Sequence, residues 1–112
     1  MLPAAARLRR RTEFTDVVRR GRRTSRGPLT FHLASVDDPV SPQVGFVIGK
    51  VVGNAVTRNR LRRRLRHLLR TRLASLPSGA RLVVRARPGA GELSSNDLAR
   101  LVDAAFGKLA AP

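Results

Sequence analysis

Residues 53–76 read GNAVTRNRLRRRLRHLLRTRLASL. Leu61, Leu65, Leu68, Leu69 and Leu73 recur at i, i+4, i+7, i+8 and i+12, the spacing of one helical face and not of a strand. Between them stand Arg58, Arg60, Arg62, Arg63, Arg64, Arg66, Arg70 and Arg72. At about 100° per residue, Arg63, Arg66 and Arg70 fall opposite the leucines with Asn59 beside them. Arg60, Arg64 and His67 flank that cluster. The stretch therefore predicts a helix that buries a leucine stripe and shows a ridge of guanidinium groups. A charge run is usually a solvated surface, but such surfaces interleave signs to limit self-repulsion. Here no Asp or Glu occurs between Asp38 and Glu92. Guanidiniums are permanently charged planar forks that match phosphate oxygens two at a time. An uncompensated ridge of them predicts contact with nucleic acid.

The rest of the chain agrees. At 112 residues it is expected to form a single domain, 1–112, with one modest core. Its net charge of +16 implies a polyanionic partner. All basic residues but Lys50 and Lys108 are arginine, which fits guanidinium chemistry or a GC-rich genome equally well. With no cysteine there is neither a disulfide framework nor a thiolate zinc site. The opening MLPAAARLRRR lacks the apolar run of a signal peptide, and no segment approaches the ~18 apolar residues of a membrane span. A cytoplasmic protein that engages no membrane is the expectation.

In order along the chain, residues 1–11 read as a flexible basic arm. Thr12 is placed to cap a short helix, about 12–20, with Glu13 and Asp16 in its first turn and Gly21 able to take a left-handed C-terminal position. Phe14, Val17 and Val18 share a side of it. Residues 22–27 are either loop or a short edge strand. Leu29, Phe31 and Leu33 alternate with Thr30, His32 and Ala34, the period of a half-buried strand. An Asp- and Pro-rich turn (36–42) leads to a second strand, 44–52, ending near Gly49 or Lys50, and the short connection predicts that these two strands pair as a meander. Gly53-Asn54, residues tolerant of positive φ, form the nucleating turn of the arginine helix. Pro77-Ser78-Gly79 stops that helix. Ala80–Ala86 is a third strand, with Leu82 and Val84 on one face and Arg81, Val83 and Arg85 on the other. Ser94 or Ser95 then caps a last helix whose stripe Leu98, Leu101, Val102, Ala105, Phe106 and Leu109 is core. The result is an α+β two-layer sandwich, order α-β-β-β-α-β-α, with helices packed on a mixed sheet of about four strands.

No constellation for protein-borne catalysis stands out. Gly45-x-x-x-Gly49-Lys50 has three residues between the glycines where a phosphate loop needs four, and Val51 where it needs Ser or Thr. His32 and His67 lack partners at metal-ligand or triad spacing, and no serine or threonine sits in a nucleophile motif. No catalytic and no metal-binding residue is predicted. A small ribosomal protein or a DNA module with the helix in a major groove would share the charge. Yet nearly every outward position is arginine, which favours backbone over base-edge recognition; DNA is not the expected partner.

GNAVTRNRLRRRLR (53–66), preceded by a strand ending Gly49-Lys50, closely resembles the signature of the bacterial ribonuclease P protein subunit. The resemblance extends to the arginine-rich arm before Phe14, the Gly21 turn, the strand holding FHL (31–33) and the strand ending Ala86-Arg87-Pro88. It implies a left-handed βαβ crossover about the arginine helix, against the usual hand. It also implies two partners, ribonuclease P RNA and precursor tRNA, whose 5′ leader the RNA cleaves with Mg²⁺ held mainly by RNA and substrate. Carried over by motif, Lys50, Asn54, Arg58, Asn59, Arg60, Arg62, Arg63, Arg66 and Arg70 would bind RNA. Arg9, Arg11, Phe14, Val18, His32 and Arg87 would line a leader cleft between the first helix and the sheet. Similar proteins often carry aromatics where this chain has Val18 and His32, and it has no Tyr or Trp. Stacking is worth ~1–3 kcal/mol per base, so leader grip is expected to rest more on charge. Phe14 as plain core and His32 as an ordinary strand surface residue are the competing readings.

Overall fold

A computed structural model describes residues 2, 4–37 and 41–110. The elements are α1 (Arg11–Arg20), β1 (Arg22–Arg26), β2 (Leu29–Ser35), β3 (Gln43–Val47), α2 (Ala55–Arg72), β4 (Ala80–Ala86) and α3 (Ser95–Ala110). This is the α-β-β-β-α-β-α order expected, and residues 22–27 supply a true edge strand. The turn placed at 36–42 lies partly outside the described residues.

The sheet order is β1-β2-β4-β3, antiparallel except for the parallel pair β3 and β4, which α2 joins. The expected meander of β2 and β3 is therefore wrong: β4 lies between them. The hairpin instead joins β1 to β2 through Gly27, at φ 55°. Burial explains the insertion. Leu82, Val83 and Val84 are fully buried, so β4 is apolar on both faces and takes a central place. β3 also stops at Val47, short of the predicted 52, because its partner β4 ends at Ala86, one residue past the Val47–Arg85 pair.

Alternation along the strands builds two cores. Leu29, Phe31, Leu82, Val84 and Val44 pack with Leu61, Leu65 and Leu69 of α2 and Leu98 and Val102 of α3. On the opposite face Ala34 and Val83 pack with Val17 of α1 and Leu8, with Phe14, Val18 and Val47 at the margin. An ion pair between Arg72 and Asp103 (2.5 Å) ties α2 to α3.

Several local expectations change. α1 begins at Arg11, and Arg10 rather than Thr12 is its cap residue, because the Glu13 carboxylate reaches back to accept from the N–H groups of Arg10 (3.0 Å) and Arg9 (3.3 Å). Those bonds hold the Glu13 carboxyl below its ordinary value. Gly21 is extended (φ −74°), not left-handed; a side chain there would strike the carbonyls of Val17 and Leu33, so glycine is needed for close approach. Of the pair Gly53-Asn54, Gly53 takes positive φ (154°). Asn54 is the extended N-cap of α2, and its side chain accepts from Thr57 N–H at 2.9 Å. Ser94, not Ser95, caps α3 by accepting from Asp97 N–H. The stretch expected to be a flexible arm is docked over its described residues. Leu2 and Leu8 are buried, Ala4–Ala6 forms one 3-10 turn, and Leu8 N–H bonds to Val44 O at 2.9 Å beside the edge of β3. Two apolar side chains outweigh the charges around them.

Candidate nucleic-acid interface

The leucines seat α2 on the sheet and so fix what its arginines face. Asn59, Arg60, Arg63, His67 and Arg70 are exposed, while Arg58, Arg62, Arg64 and Arg66 are half-buried. Among the described residues no carboxylate pairs with any arginine from Arg58 to Arg70, and the four ion pairs lie elsewhere. Arg60 and Arg64 reach over one flank of the helix to donate to the carbonyls of Gly91 (3.5 Å) and Leu93 (3.1 Å). Arg62 donates to Asn59 Oδ1 at 3.0 Å. Arg66, on the other flank, lies near Arg7 and Arg62; burial first, then those two charges, lower its guanidinium from the ordinary value. Lys50 is exposed in the 3-10 turn Lys50–Val52 ahead of the helix. The structure thus brings Arg58, Asn59, Arg60, Arg62, Arg63, Arg66 and Arg70 onto one helix. It gives Asn54 an internal task, because capping occupies its side chain.

A second feature lies on the opposite face of the sheet. Phe14 and Val18 of α1 line a groove of about 290 Å³ with Thr15, Arg19, Val47 and Arg85. Strand register explains it. Val47, Arg85, Thr30 and Ser25 form one row across the sheet, and Gly45, Val83, His32 and Arg23 form the next. α1 covers Gly45, Val83 and His32 of the second row, with the Phe14 ring directly over Gly45; in the first row Thr30 is buried as well, while Val47 is half-buried and Arg85 and Ser25 are exposed. The apolar side chains of Phe14, Val18 and Val47 between the guanidiniums of Arg19 and Arg85 suit unpaired nucleotides, whose bases seek apolar surface and whose phosphates seek charge.

The expected cleft residues are only partly gathered there. Phe14 and Val18 line the groove, so Phe14 is not simply core. His32 does not line it and is no ordinary surface residue either. It is 4% exposed in the covered row, and neither ring nitrogen has a partner among the described residues. Burial, with the charges of Arg85 and Arg23, pulls its pKa below the ordinary value and keeps the ring neutral. Arg9 and Arg11 are exposed at the start of α1, and Arg11 faces outward with Thr12, Asp16 and Arg20. Arg87 sits past the end of β4 and donates to Gly27 O. Arg85 takes the place assigned to Arg87. Sequence reasoning passed over Arg19, Val47 and Arg85, although the alternation of β4 already set Arg85 opposite the buried Leu82 and Val84. No three His, Asp or Glu side chains converge among the described residues.

A basic helix without acidic partners and an arginine-edged groove are the features expected of a small α+β protein of the nucleic-acid-binding kind. The family model for ribonuclease P matches residues 2–110. The ribonuclease P protein component of Streptomyces griseus is 52% identical over 97% of this chain and 95% of its own length. That of Acidothermus cellulolyticus is 48% identical over 97% and 92%. The chain belongs to the ribonuclease P protein family. Its fold is that of the solved ribonuclease P proteins of Staphylococcus aureus (TM-score 0.84, 18% identity, 94% of this chain and 97% of that one) and Thermotoga maritima (0.80, 21%, 94% and 98%). Among the described residues no helix is long and apolar enough to cross a membrane.

Proposed function

We propose that this chain is the protein subunit of a ribonuclease P that removes the 5′ leader of precursor tRNA in the cytoplasm. The arginines of α2 bind ribonuclease P RNA, with Lys50 at the helix entrance. The groove beneath α1 takes the unpaired leader between Arg19 and Arg85, over Phe14, Val18 and Val47. One observation carries this reading: the acid-free ridge of guanidiniums on α2, in a chain of this family.

Cleavage belongs to the RNA, and Mg²⁺ supplies the charge neutralisation for it. Among the described residues no three His, Asp or Glu side chains converge, and this reading leaves Mg²⁺ mainly to the RNA and the substrate, whose phosphates can hold it. This chain's part is to bind, orient and neutralise. A DNA major groove suits α2 poorly, since its leucine face is sealed on the sheet and Arg60 and Arg64 are drawn back onto backbone carbonyls.

The test is to mix the purified chain with a bacterial ribonuclease P RNA and precursor tRNA at low Mg²⁺. The reading predicts leader removal far above that given by an equally charged polycation. Stimulation no greater than the polycation's contradicts it.

A further inference from the structure

Between the docked N-terminal stretch, the edge of β3 and the inner flank of α2 lies a hollow of about 120 Å³. Three guanidiniums border it: Arg7 from the N-terminal stretch, Arg62 and Arg66 from α2. Leu8, Phe14, Val44, Gly45 and Phe46 complete the wall, and no carboxylate among the described residues does. Arg7 is held in place, since its Nε and Nη2 both donate to Leu2 O (3.1 and 2.9 Å) on a residue that is itself buried. Arg62 spends one nitrogen on Asn59 Oδ1. Arg66 donates to no protein acceptor among the described residues, and the neighbouring Arg7 and Arg62 charges bear on it. Apolar burial of Leu2 and Leu8 brings these like charges together, so the fold assembles a concentrated positive hollow and leaves the counter-charge to come from outside.

We propose that Arg7, Arg62 and Arg66 form a site for one phosphate group, and that its natural occupant is a backbone phosphate of the RNA strand leaving the α1 groove. The space equals about four water molecules at ~30 Å³ each, which suits a tetrahedral oxyanion. Three forked donors from two segments can meet its oxygens with charge-assisted bonds. Phe14 links the hollow to the groove because it lines both. Its ring lies where a Gly45 side chain would be. A strand with its phosphate here would set the adjoining base against Phe14. The assignment of RNA as occupant rests on the function proposed above; the phosphate site does not. Arg7 and Phe46 enter as binding residues that the motif alone did not mark.

The experiment is an amide and arginine Nε NMR titration of the full chain at low salt, first with inorganic phosphate and then with the dinucleotide pApA. Saturable shifts are expected at Leu8, Phe46 and the Nε groups of Arg7, Arg62 and Arg66. Arg66→Gln and Arg7→Gln should each weaken phosphate about tenfold, the scale of one charge-assisted bond. The charge-matched Arg100→Gln on α3 should weaken it less than about twofold, since removing a distant exposed charge changes only a screened interaction. Arg7 lies outside the core helices, so its variant keeps the test open should the Arg66 change disturb folding. Equal losses from Arg100→Gln, or no saturable shift, overturn the site. Equal affinity for phosphate and pApA overturns the strand assignment. No ribonuclease P RNA is present, so a chain that supports leader removal yet fails here loses this inference alone.

Discussion

His32 and Gly45 show how single residues set the groove side of the sheet. His32 is neutral and buried in the fold but free to protonate once unfolded. Its folded pKa is lowered, so below the ordinary value of 6.5 the unfolded state binds more protons and stability falls as pH drops. Urea midpoints should decline from pH 7 to pH 5, and His32→Leu should flatten that decline. Parallel declines in the two chains would mean the ring is not shielded. Gly45→Ala is predicted to cost about 1–3 kcal/mol by overpacking, because the new methyl meets the Phe14 ring. Thermal unfolding reads the cost, and an unchanged Tm would contradict the placement of the Phe14 ring over Gly45. Neither property was legible beforehand. The sequence marks His32 and Gly45 only as residues of two strands, and it takes the register of four strands to put both in the row that α1 covers.

At the scale of elements, α2 was the most legible part of the chain because period and charge agree over eighteen residues. Its leucines and its arginines should separate cleanly in experiment. Leu65→Ala should cost about 2–5 kcal/mol, Leu65 being fully buried. Arg63→Ala should leave stability nearly unchanged yet reduce the salt dependence of RNA binding by about one charge. Urea melts and affinities over a range of KCl concentrations check the pair; a destabilised Arg63 variant with unaltered salt slope would reverse the assignment of faces. The flanks of the helix were not legible. Arg60 and Arg64 bond to carbonyls some thirty residues away, and Arg62 and Arg66 meet an N-terminal arginine. Strand order failed for a related reason. Loop length favours neighbours in sequence, whereas the doubly apolar β4 claims the centre through long-range burial.

For the whole molecule the governing quantity is the charge of +16. The four ion pairs among the described residues sit beside α1, at the end of α2 and along α3, and leave the arginine ridge bare. Self-repulsion should weaken the isolated fold, and anions that bind only the folded state should restore it. Helical circular dichroism at low salt should therefore rise on adding sulfate; indifference to sulfate would show that the two cores alone carry the fold. The account as a whole requires that position, and not charge alone, makes the ridge an RNA surface. The most direct measurement compares two charge-matched double variants, Arg63→Ala with Arg70→Ala on α2 and Arg26→Ala with Arg100→Ala elsewhere, for equilibrium binding to ribonuclease P RNA in one buffer. The first pair should lose at least about tenfold more affinity than the second, the scale of a lost charge-assisted contact. Equal losses would show a diffuse polycation and contradict the account.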